Sequence, residues 1–405
     1  MILAVSLLLL ILSLSSNQAP RILKPRPANQ KEQKLLENEE KFPTRQDSDE
    51  FSSCSKPVEK VGFMKLHKTA SSTIQNILMR YGMNSGWNFV MYSFGNQLGP
   101  PSNQYVLDQP FNSSWLNNVP WYNMTQEQGY NILALHTQWQ QEEVEKVLGE
   151  GAKYVTIIRD PVEQFESLYN YVHFEKTFQM DLEQFISDYI AAGKDIPRVK
   201  GYLGRNQQLW DLGMTEEDMN NEEAVKNKID HIDKEFDLVM IADDIESSLV
   251  LLSDILCWPL VNMTSLRLNT RKQSAVKKLS ETSRLILKDW LWADYMLYDH
   301  FRGKLEKKKK SVGSLKMKKA DNKFQYLNKN VEDECVVEVV EDTEILSSEF
   351  VPWSNDVLGF KIDDSKQICK YFGISENHFI EHLRSLQMER FQKWRSNLES
   401  RKIKV

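Results

Sequence analysis

The sequence predicts an α/β fold, a three-layer sandwich with a parallel β-sheet between helices on both faces, followed by a C-terminal helical extension. Two observations lead to this prediction. Short apolar runs alternate along the chain with longer amphipathic segments, an order typical of parallel sheets whose crossovers are helices. Two of these runs also end in a polar turn that leads directly into a helix. Such strand–turn–helix units place ligands at the carboxyl ends of the strands.

The first unit begins with an apolar run at residues 61–66 and continues through the turn H-K-T-A-S-S-T at residues 67–73. A helix follows, with apolar residues at positions 74, 77, 78 and 81. Backbone N–H groups and the helix dipole make this order a phosphate or sulfate site. Lys68 adds a positive charge, and Ser71, Ser72 and Thr73 add hydroxyl donors. The Walker A pattern is absent, which disfavours an ATPase, a GTPase or a nucleotide kinase.

The second unit has a buried strand at residues 154–158, the tripeptide R-D-P and a helix at 162–172. Pro161 suits the first helical turn, where its missing N–H costs nothing. Arg159 lies at the strand end and can bind phosphate with two parallel hydrogen bonds, although a salt bridge to Asp160 or another carboxylate is the alternative. Ser167, two turns into the helix, is a second phosphate ligand. Together the two units suit a nucleotide with two separate phosphate positions.

The remaining elements follow in order. The sequence predicts strands at residues 132–137 and 237–242 and helices at 141–148, 181–192, 216–229, 245–256 and 279–301. Two more helices are predicted between residues 363 and 402. The three amides at 206–208 are candidates for contact with a nucleotide or a sugar.

These residues carry a family resemblance. The motifs H-K-T-A-S-S-T and I-R-D-P-x-x-x-F-x-S-x-Y resemble the two phosphate-binding motifs of Golgi carbohydrate sulfotransferases. Three later segments, at residues 236–242, 247–252 and 256–258, resemble the galactose-3-O-sulfotransferase family, which includes the galactosylceramide sulfotransferases. The likeness extends from about residue 54 to residue 301. It implies a P-loop-like sandwich and 3′-phosphoadenylyl sulfate as the cosubstrate that donates sulfate, with no metal.

The resemblance also implies roles for individual residues. The first loop would grip the 5′-phosphosulfate through Lys68, Thr69, Ala70, Ser71, Ser72 and Thr73. Arg159 and Ser167 would hold the 3′-phosphate. Lys68 would also be catalytic, because a cation on the bridging oxygen stabilises the charge that develops on the leaving phosphate. Lys65 is expected to point away from the loop.

The acceptor hydroxyl must lose a proton, and a neutral histidine is a suitable base near neutral pH. His136 ends a predicted strand, where related uronyl 2-O-sulfotransferases carry a catalytic histidine. His67 lies in the loop beside Lys68. His136 is the first candidate and His67 the second. The histidines and cysteines lack the spacing of metal ligands, so no metal site is predicted.

The resemblance favours transfer to the 3-hydroxyl of a β-galactose on galactosylceramide or a related galactolipid. Galactose of N- or O-linked glycans and the uronic acid of glycosaminoglycans are alternative acceptors. A non-catalytic glycan-binding relative is a further alternative. That hypothesis predicts the loss of a phosphate ligand or of the catalytic lysine, and all of these residues are present.

Composition narrows the class of protein. A net charge of −6 over 405 residues disfavours a nucleic-acid-binding protein, which is usually basic. Three N-x-[ST] sequons, at Asn112, Asn123 and Asn262, suggest the secretory pathway. The four cysteines allow three disulfide connectivities. Cys54–Cys257 with Cys335–Cys369 is the favoured one, and free thiols are the alternative.

The chain divides into five predicted parts. These are a hydrophobic anchor or signal at 1–16, a stem or linker at 17–53, a sulfotransferase domain at 54–303, a basic linker at 304–320 and a helical extension at 321–405. The apolar run is shorter than a spanning helix usually needs, and its basic residues follow it, against the positive-inside rule. The resemblance nevertheless implies a single-pass type II protein of the Golgi membrane with a lumenal catalytic domain. A homodimer is possible.

Overall fold

A parallel sheet of four strands organises the protein. The computed structural model describes residues 56–268, 270–272, 278–352 and 354–402. The strands are β1 (Val61–Met64), β2 (Ile132–Leu133), β3 (Lys153–Ile158) and β4 (Leu238–Ile241), in the spatial order β2-β1-β3-β4. All pairings are parallel, with Gly62 opposite both Leu133 and Tyr154. Nearly every strand residue is buried, as expected for a sheet flanked by helices.

Helices flank this sheet, which confirms the predicted fold class. In chain order they are α1 (Ser71–Asn84), α2 (Tyr122–Gln128), α3 (Gln141–Leu148), α4 (Pro161–Tyr171), α5 (Phe174–Phe178), α6 (Leu182–Phe185), α7 (Gln207–Asp211), α8 (Glu222–Glu235) and α9 (Ile245–Leu256). A π-helical turn, Ile186–Ile190, continues α6. The helices predicted at 141–148 and 245–256 are found with these bounds.

Two helices occupy the region where the sequence predicts one long helix at 279–301. They are α10 (Glu281–Trp290) and α11 (Trp292–Val312), and Leu291 lies between them. Helix α11 continues into the lysine-rich segment 304–320, for which the sequence predicts a basic linker. Gly313, with a φ of 98°, separates it from α12 (Ser314–Cys335). The segment is helical and not a linker. Its apolar residues at helical spacing pack onto the core, while its lysines lie towards the surface.

The C-terminal part begins with a β-hairpin that the sequence does not predict. Strands β5 (Val336–Val340) and β6 (Gly359–Ile362) pair antiparallel. Helices α13 (Gln367–Gly373) and α14 (Glu376–Lys402) follow, which confirms the two helices predicted there. The disulfide Cys335–Cys369 joins the end of α12 to α13 and confirms that predicted pair. Cys257 is also disulfide-bonded, and its predicted partner, Cys54, lies outside the described residues.

Helix α14 is anchored to an irregular segment that follows α1. The amide of Gln387 accepts from the backbone N of Phe89 at 2.7 Å and donates to its carbonyl at 3.1 Å. Arg384 and Arg390 donate to the carbonyls of Tyr92 at 2.9 Å and Trp87 at 2.7 Å. These bonds add to the backbone pairing between residues 88–90 and Ile132 of β2. They also fix where the N-terminus of α14 lies.

No helix among the described residues is long and apolar enough to cross a membrane. The apolar run at residues 1–14 lies outside the described residues, as does the stem predicted at 17–53.

Candidate active site

A cleft of about 1200 Å³ lies beyond the carboxyl ends of β1 and β3. Both sequence motifs contribute to its wall. Every predicted site residue except Thr69 lines it: His67, Lys68, Ala70, Ser71, Ser72, Thr73, His136, Arg159 and Ser167. Parallel strands bring loops that are distant in sequence to the same edge of a sheet, which is why the two motifs meet here.

The loop between β1 and α1 turns sharply into the helix. Lys68 and Ala70 both adopt left-handed backbone conformations, with φ values of 62° and 65°. Ala70 is the N-cap residue and has no side-chain oxygen to cap the helix. The hydroxyl of Ser71 instead donates to the carbonyl of Leu66 at 2.6 Å. The first turn of α1 therefore presents backbone N–H groups without a side-chain cap, an arrangement suited to an anion.

Thr69 lies buried in the same loop. Its side chain is 0% exposed, and its hydroxyl has no hydrogen-bond partner among the described residues. A buried hydroxyl without a partner costs free energy. Such an atom in a loop that surrounds an anion site is consistent with a donor that is satisfied when the ligand binds.

Lys68 is one of several cations at the cleft. Burial lowers the pKa of Lys68 from 10.5 to about 7. Three further cations lower this pKa in the same direction: Lys65, Arg159 and Arg271. The ammonium of Lys68 lies 3.9 Å from the ring centroid of Tyr171. A phosphate or sulfate here would relieve the mutual repulsion of these cations and restore the charge of Lys68.

Arg159 is held through its backbone by a buried amide. Gln208 accepts from the backbone N of Arg159 at 2.9 Å and donates to its carbonyl at 2.9 Å. The guanidinium lines the cleft with its side chain 28% exposed, and its Nη2 lies 3.7 Å from Glu163. That ion pair is loose, because the same carboxylate also binds Arg284 at 3.0 Å. The side chain of Arg159 is thus able to turn towards an anion.

The three amides at 206–208 do not line the cleft, contrary to expectation. They are at most 1% exposed. The backbone N–H groups of Gln208 and Leu209 donate to the carboxylate of Asp294 at 3.1 and 3.0 Å. This buried carboxylate holds the start of α7, and burial raises its pKa to about 7. The amides therefore support the site from behind.

His67 is oriented by Asp211, the last residue of α7. The carboxylate of Asp211 accepts from the backbone N of His67 at 2.8 Å and lies 2.8 Å from its Nδ1. Because a carboxylate only accepts, Nδ1 donates to it, and in the neutral tautomer of this ring Nε2 carries the lone pair. Gln207 donates to the other carboxylate oxygen at 2.8 Å. A carboxylate in this position would also stabilise the imidazolium that forms when a base accepts a proton.

The ring of His136 stacks on the ring of His67, with centroids 4.3 Å apart and planes inclined by 19°. Its Nδ1 donates to the carbonyl of Lys65 at 2.9 Å, since a carbonyl can only accept. Its Nε2 lone pair therefore faces the ammonium of Lys65 at 3.0 Å. Burial, Lys65 and His67 hold the pKa of His136 well below 6.5, so the ring is neutral.

Lys65 faces the cleft and does not point away from the loop, contrary to expectation. Its side chain is 2% exposed. The ammonium contacts both carboxylate oxygens of Glu376, at 3.0 and 2.9 Å, in addition to His136. Glu376 is the first residue of α14 and also accepts from Ser72 at 3.4 Å. The C-terminal extension thus contributes a side chain to the cleft.

Sequence reasoning misses three further cleft or supporting groups. They are Asp211 behind His67, Arg271, which pairs with Glu166 at 3.0 Å, and Glu376. None of them lies in a recognisable motif, because each reaches the site through long-range packing. No group of three or more His, Cys, Asp or Glu side chains that could hold a metal ion occurs within the described ranges.

The chain is similar to known sulfotransferases over most of its length. The family model described as galactose-3-O-sulfotransferase matches residues 1–387. A galactosylceramide sulfotransferase from Bos taurus is 27% identical over 334 residues, which cover 78% of this chain and 75% of the relative. Galactose-3-O-sulfotransferase 2 from Homo sapiens is 25% identical over 351 residues, covering 82% and 84%. Galactose-3-O-sulfotransferase 3 from Bos taurus is 25% identical over 357 residues, covering 82% and 79%.

Proposed function

The chain belongs to the galactose-3-O-sulfotransferase family, and we propose that it transfers sulfate from 3′-phosphoadenylyl sulfate to the 3-hydroxyl of a β-galactose, with galactosylceramide as its principal acceptor. The family supports a sulfotransferase enzyme that modifies galactose. The identity of the acceptor goes one step beyond what the family supports. It rests on the apolar wall of the cleft and on the names of several relatives.

The donor side of the cleft suits a nucleotide with two separate anionic groups. The loop around Lys68 offers the N-terminus of α1, the hydroxyls of Ser72 and Thr73 and the buried hydroxyl of Thr69. We assign the 5′-phosphosulfate to this loop. Arg159 and Ser167 lie on the second unit and would hold the 3′-phosphate. The cationic excess around Lys68 supports this assignment.

The reaction forms a bond between the galactose oxygen and sulfur and breaks the bond between sulfur and the bridging oxygen of the phosphosulfate. The leaving bisphosphate nucleotide gains negative charge, which Lys68 would stabilise. The acceptor hydroxyl gives its proton to a histidine. The Nε2 lone pair of His136 faces an ammonium, whereas Asp211 orients His67 and leaves its Nε2 lone pair as the acceptor. We therefore place His67 first as the base in this arrangement, with His136 as the alternative.

One wall of the cleft is apolar, and this favours a lipid acceptor. Apolar residues of the C-terminal part line it: Phe350, Val351, Pro352, Leu358 and Phe360. Phe360 pairs directly with Val339 across the hairpin, so the two side chains share a face. Val339 and Val337 are 49% and 62% exposed.

Apolar side chains thus continue from Phe360 in the cleft wall to its exposed cross-strand partner Val339. Exposed apolar surface beside a site commonly marks a ligand or membrane contact. A galactolipid requires such a surface for its acyl chains, and a soluble glycan does not. This continuity is the observation that favours galactosylceramide over the galactose of N- or O-linked glycans.

A lumenal Golgi location, with residues 1–16 as a single-pass type II anchor, is part of the proposal. The disulfide Cys335–Cys369 supports it, because disulfides persist in oxidising compartments such as the secretory pathway. Treatment of the cell-derived protein with an N-glycosidase should lower its apparent mass if the sequons at Asn112, Asn123 or Asn262 are used. An unchanged mass together with a cytosolic distribution would contradict this location.

The function is tested by incubating the purified full chain with radiolabelled 3′-phosphoadenylyl sulfate and a panel of acceptors. The panel contains galactosylceramide and lactosylceramide in phosphatidylcholine vesicles, soluble N-acetyllactosamine and desulfated heparan sulfate. Sulfation of galactosylceramide above the others supports the proposal. Preference for N-acetyllactosamine would give the enzyme a glycan acceptor, and sulfation of heparan alone would contradict a galactose acceptor. Tight nucleotide binding without any transfer would indicate a non-catalytic relative.

A further inference from the structure

The ammonium of Lys65 has a contact for each of its N–H donors. An ammonium has three N–H donors, and here the contacts account for all three. Two are the carboxylate oxygens of Glu376, at 3.0 and 2.9 Å, and the third is Nε2 of His136, at 3.0 Å. Because Lys65 is 2% exposed, water does not substitute for these partners. The position of the charge is thus set by one carboxylate and one neutral imidazole.

We propose that Glu376 is a positioning residue that fixes the ammonium of Lys65 on His136 in the wall of the cleft, and so couples the C-terminal extension to sulfuryl transfer. The inference rests on the proposed sulfotransferase reaction. Glu376 does not bind the donor in this assignment. It acts through Lys65, a second cation beside the loop that carries Lys68.

The backbone of Glu376 is itself well placed for this role. Glu376 opens α14, and this helix is tied to residues 87–92 by Gln387, Arg384 and Arg390. The next residue, Asn377, accepts from Asn96 at 3.0 Å. The carboxylate therefore has little freedom to follow a displaced lysine. The chain separation of 311 residues between Lys65 and Glu376 means that only the folded C-terminal extension supplies this contact.

Charge distinguishes positioning from a purely structural contact. Glu376 is a negative charge beside a site for anions, and it also lies 3.4 Å from the hydroxyl of Ser72 in the donor loop. Removing that charge should leave the affinity for an anionic nucleotide unchanged or increase it. If Glu376 positions Lys65 for the transition state, kcat should fall at the same time. Loss of structure alone would lower both quantities together.

The experiment compares Glu376→Gln with wild type and with the control Glu381→Gln. Glu381 lies on the same helix, is exposed and pairs with Arg384. Binding of 3′-phosphoadenosine 5′-phosphate is measured by calorimetry, and kcat with saturating galactosylceramide vesicles. Glu376→Gln should lower kcat by about 10²-fold, as expected when a charged group beside the reacting groups is displaced. Nucleotide affinity should be equal to or greater than that of wild type, and Glu381→Gln should change neither quantity.

A second variant, Glu376→Asp, keeps the charge but shortens the side chain, and it should recover part of the lost kcat. Two outcomes would overturn the inference. One is a Glu376→Gln enzyme with a wild-type kcat. The other is a parallel loss of kcat, nucleotide affinity and thermal stability. A wild-type enzyme that is inactive on every acceptor would refute the proposed function itself. That outcome differs from failure of the positioning role, which is judged from Glu376→Gln against an active wild type.

Discussion

The two sides of the cleft are built in different ways. On the donor side, the groups assigned to the nucleotide fall in two short segments, residues 67–73 and 159–167. On the other side, the opposite wall comes from residues 350–360, which lead into β6, and from the first turn of α14. From this wall Glu376 contacts Lys65 and Ser72 on the donor side, more than 300 residues earlier in the chain.

This difference teaches which parts of the site tolerate change. The donor loop depends on local backbone geometry, such as the left-handed residues Lys68 and Ala70 that open the N-terminus of α1. The opposite wall depends on packing, since the Cys335–Cys369 disulfide and α14 hold it in place. Substitutions on the donor side should therefore reduce chemistry with every acceptor. Substitutions of the apolar residues of the opposite wall should discriminate between acceptors, whereas Glu376 acts through Lys65 on the donor side.

Lys68→Ala should have the largest effect. Without the ammonium, the leaving phosphate loses its nearest assigned cation, and kcat should fall by about 10²- to 10³-fold with both lipid and soluble galactosides. Initial rates with each acceptor measure this. Lys307→Ala, at an exposed position of α11, is the control and should be indistinguishable from wild type. If Lys68→Ala lost activity with only one of the acceptors, the proposed difference between the two sides of the cleft would be wrong.

Asp211→Asn should reduce kcat by roughly 10²-fold, by analogy with other carboxylates that orient a catalytic histidine. The neutral amide no longer stabilises the imidazolium of His67. Nucleotide affinity and melting temperature are measured alongside, with the exposed Asp230→Asn as control. If His67→Ala and Asp211→Asn both keep most of the activity while His136→Ala abolishes it, the base is His136.

Replacing Val337 and Val339 together by aspartate should lower kcat/KM for galactosylceramide vesicles by about tenfold, since an exposed valine contributes on the order of 1 kcal/mol or more when it is buried against lipid. Activity towards soluble N-acetyllactosamine should be unchanged. Leu285→Asp is the matched control, because Leu285 is also exposed, at 68%, but belongs to α10 outside the cleft. An equal loss on both acceptors would contradict a lipid contact at the hairpin.

The smallest expected effect is a pH dependence of nucleotide binding. With a pKa of about 7, Lys68 loses its proton in the unliganded enzyme as the pH rises above neutrality. Because the bound anion favours the charged form, binding should take up a proton, and affinity should weaken between about pH 6.5 and 8.5, by at most about tenfold per unit. Calorimetry in buffers of different ionisation enthalpy detects the uptake. Lys68→Met should abolish this component, and its persistence there would assign it to another group.

The proton of Lys68 also makes folding stability depend on pH, in the direction opposite to nucleotide affinity. A lysine whose pKa is lower in the folded than in the unfolded chain binds fewer protons when folded. Its unfavourable contribution is therefore fully present below about pH 7 and is relieved as the pH rises towards 10.5. Nucleotide affinity and the stability of the free enzyme should thus change in opposite directions above neutrality.

The sequence by itself determined the alternation of strands and helices, the family and the two motifs to which we assign the donor. These features are local, since a strand, a turn and a helix N-terminus specify an anion site within a dozen residues. It also indicated the Cys335–Cys369 pair. It did not predict β5 and β6, and it placed a basic linker where α11 and α12 run, because lysines on an exposed helix face resemble those of a solvated segment.

Only the tertiary structure decided that Asp211 contacts His67, that Lys65 contacts His136 and that Glu376 contacts Lys65. Lys65 follows a buried strand, where the alternation of faces gives no information once the strand has ended at Met64. Asp211 reaches His67 from behind and Glu376 reaches the cleft because α7 and α14 pack there. Contacts between residues 144 and 311 positions apart leave no pattern in a single sequence. The loop assigned to the donor is thus a local property of the chain, whereas the charge network that would set its chemistry is a property of the whole fold.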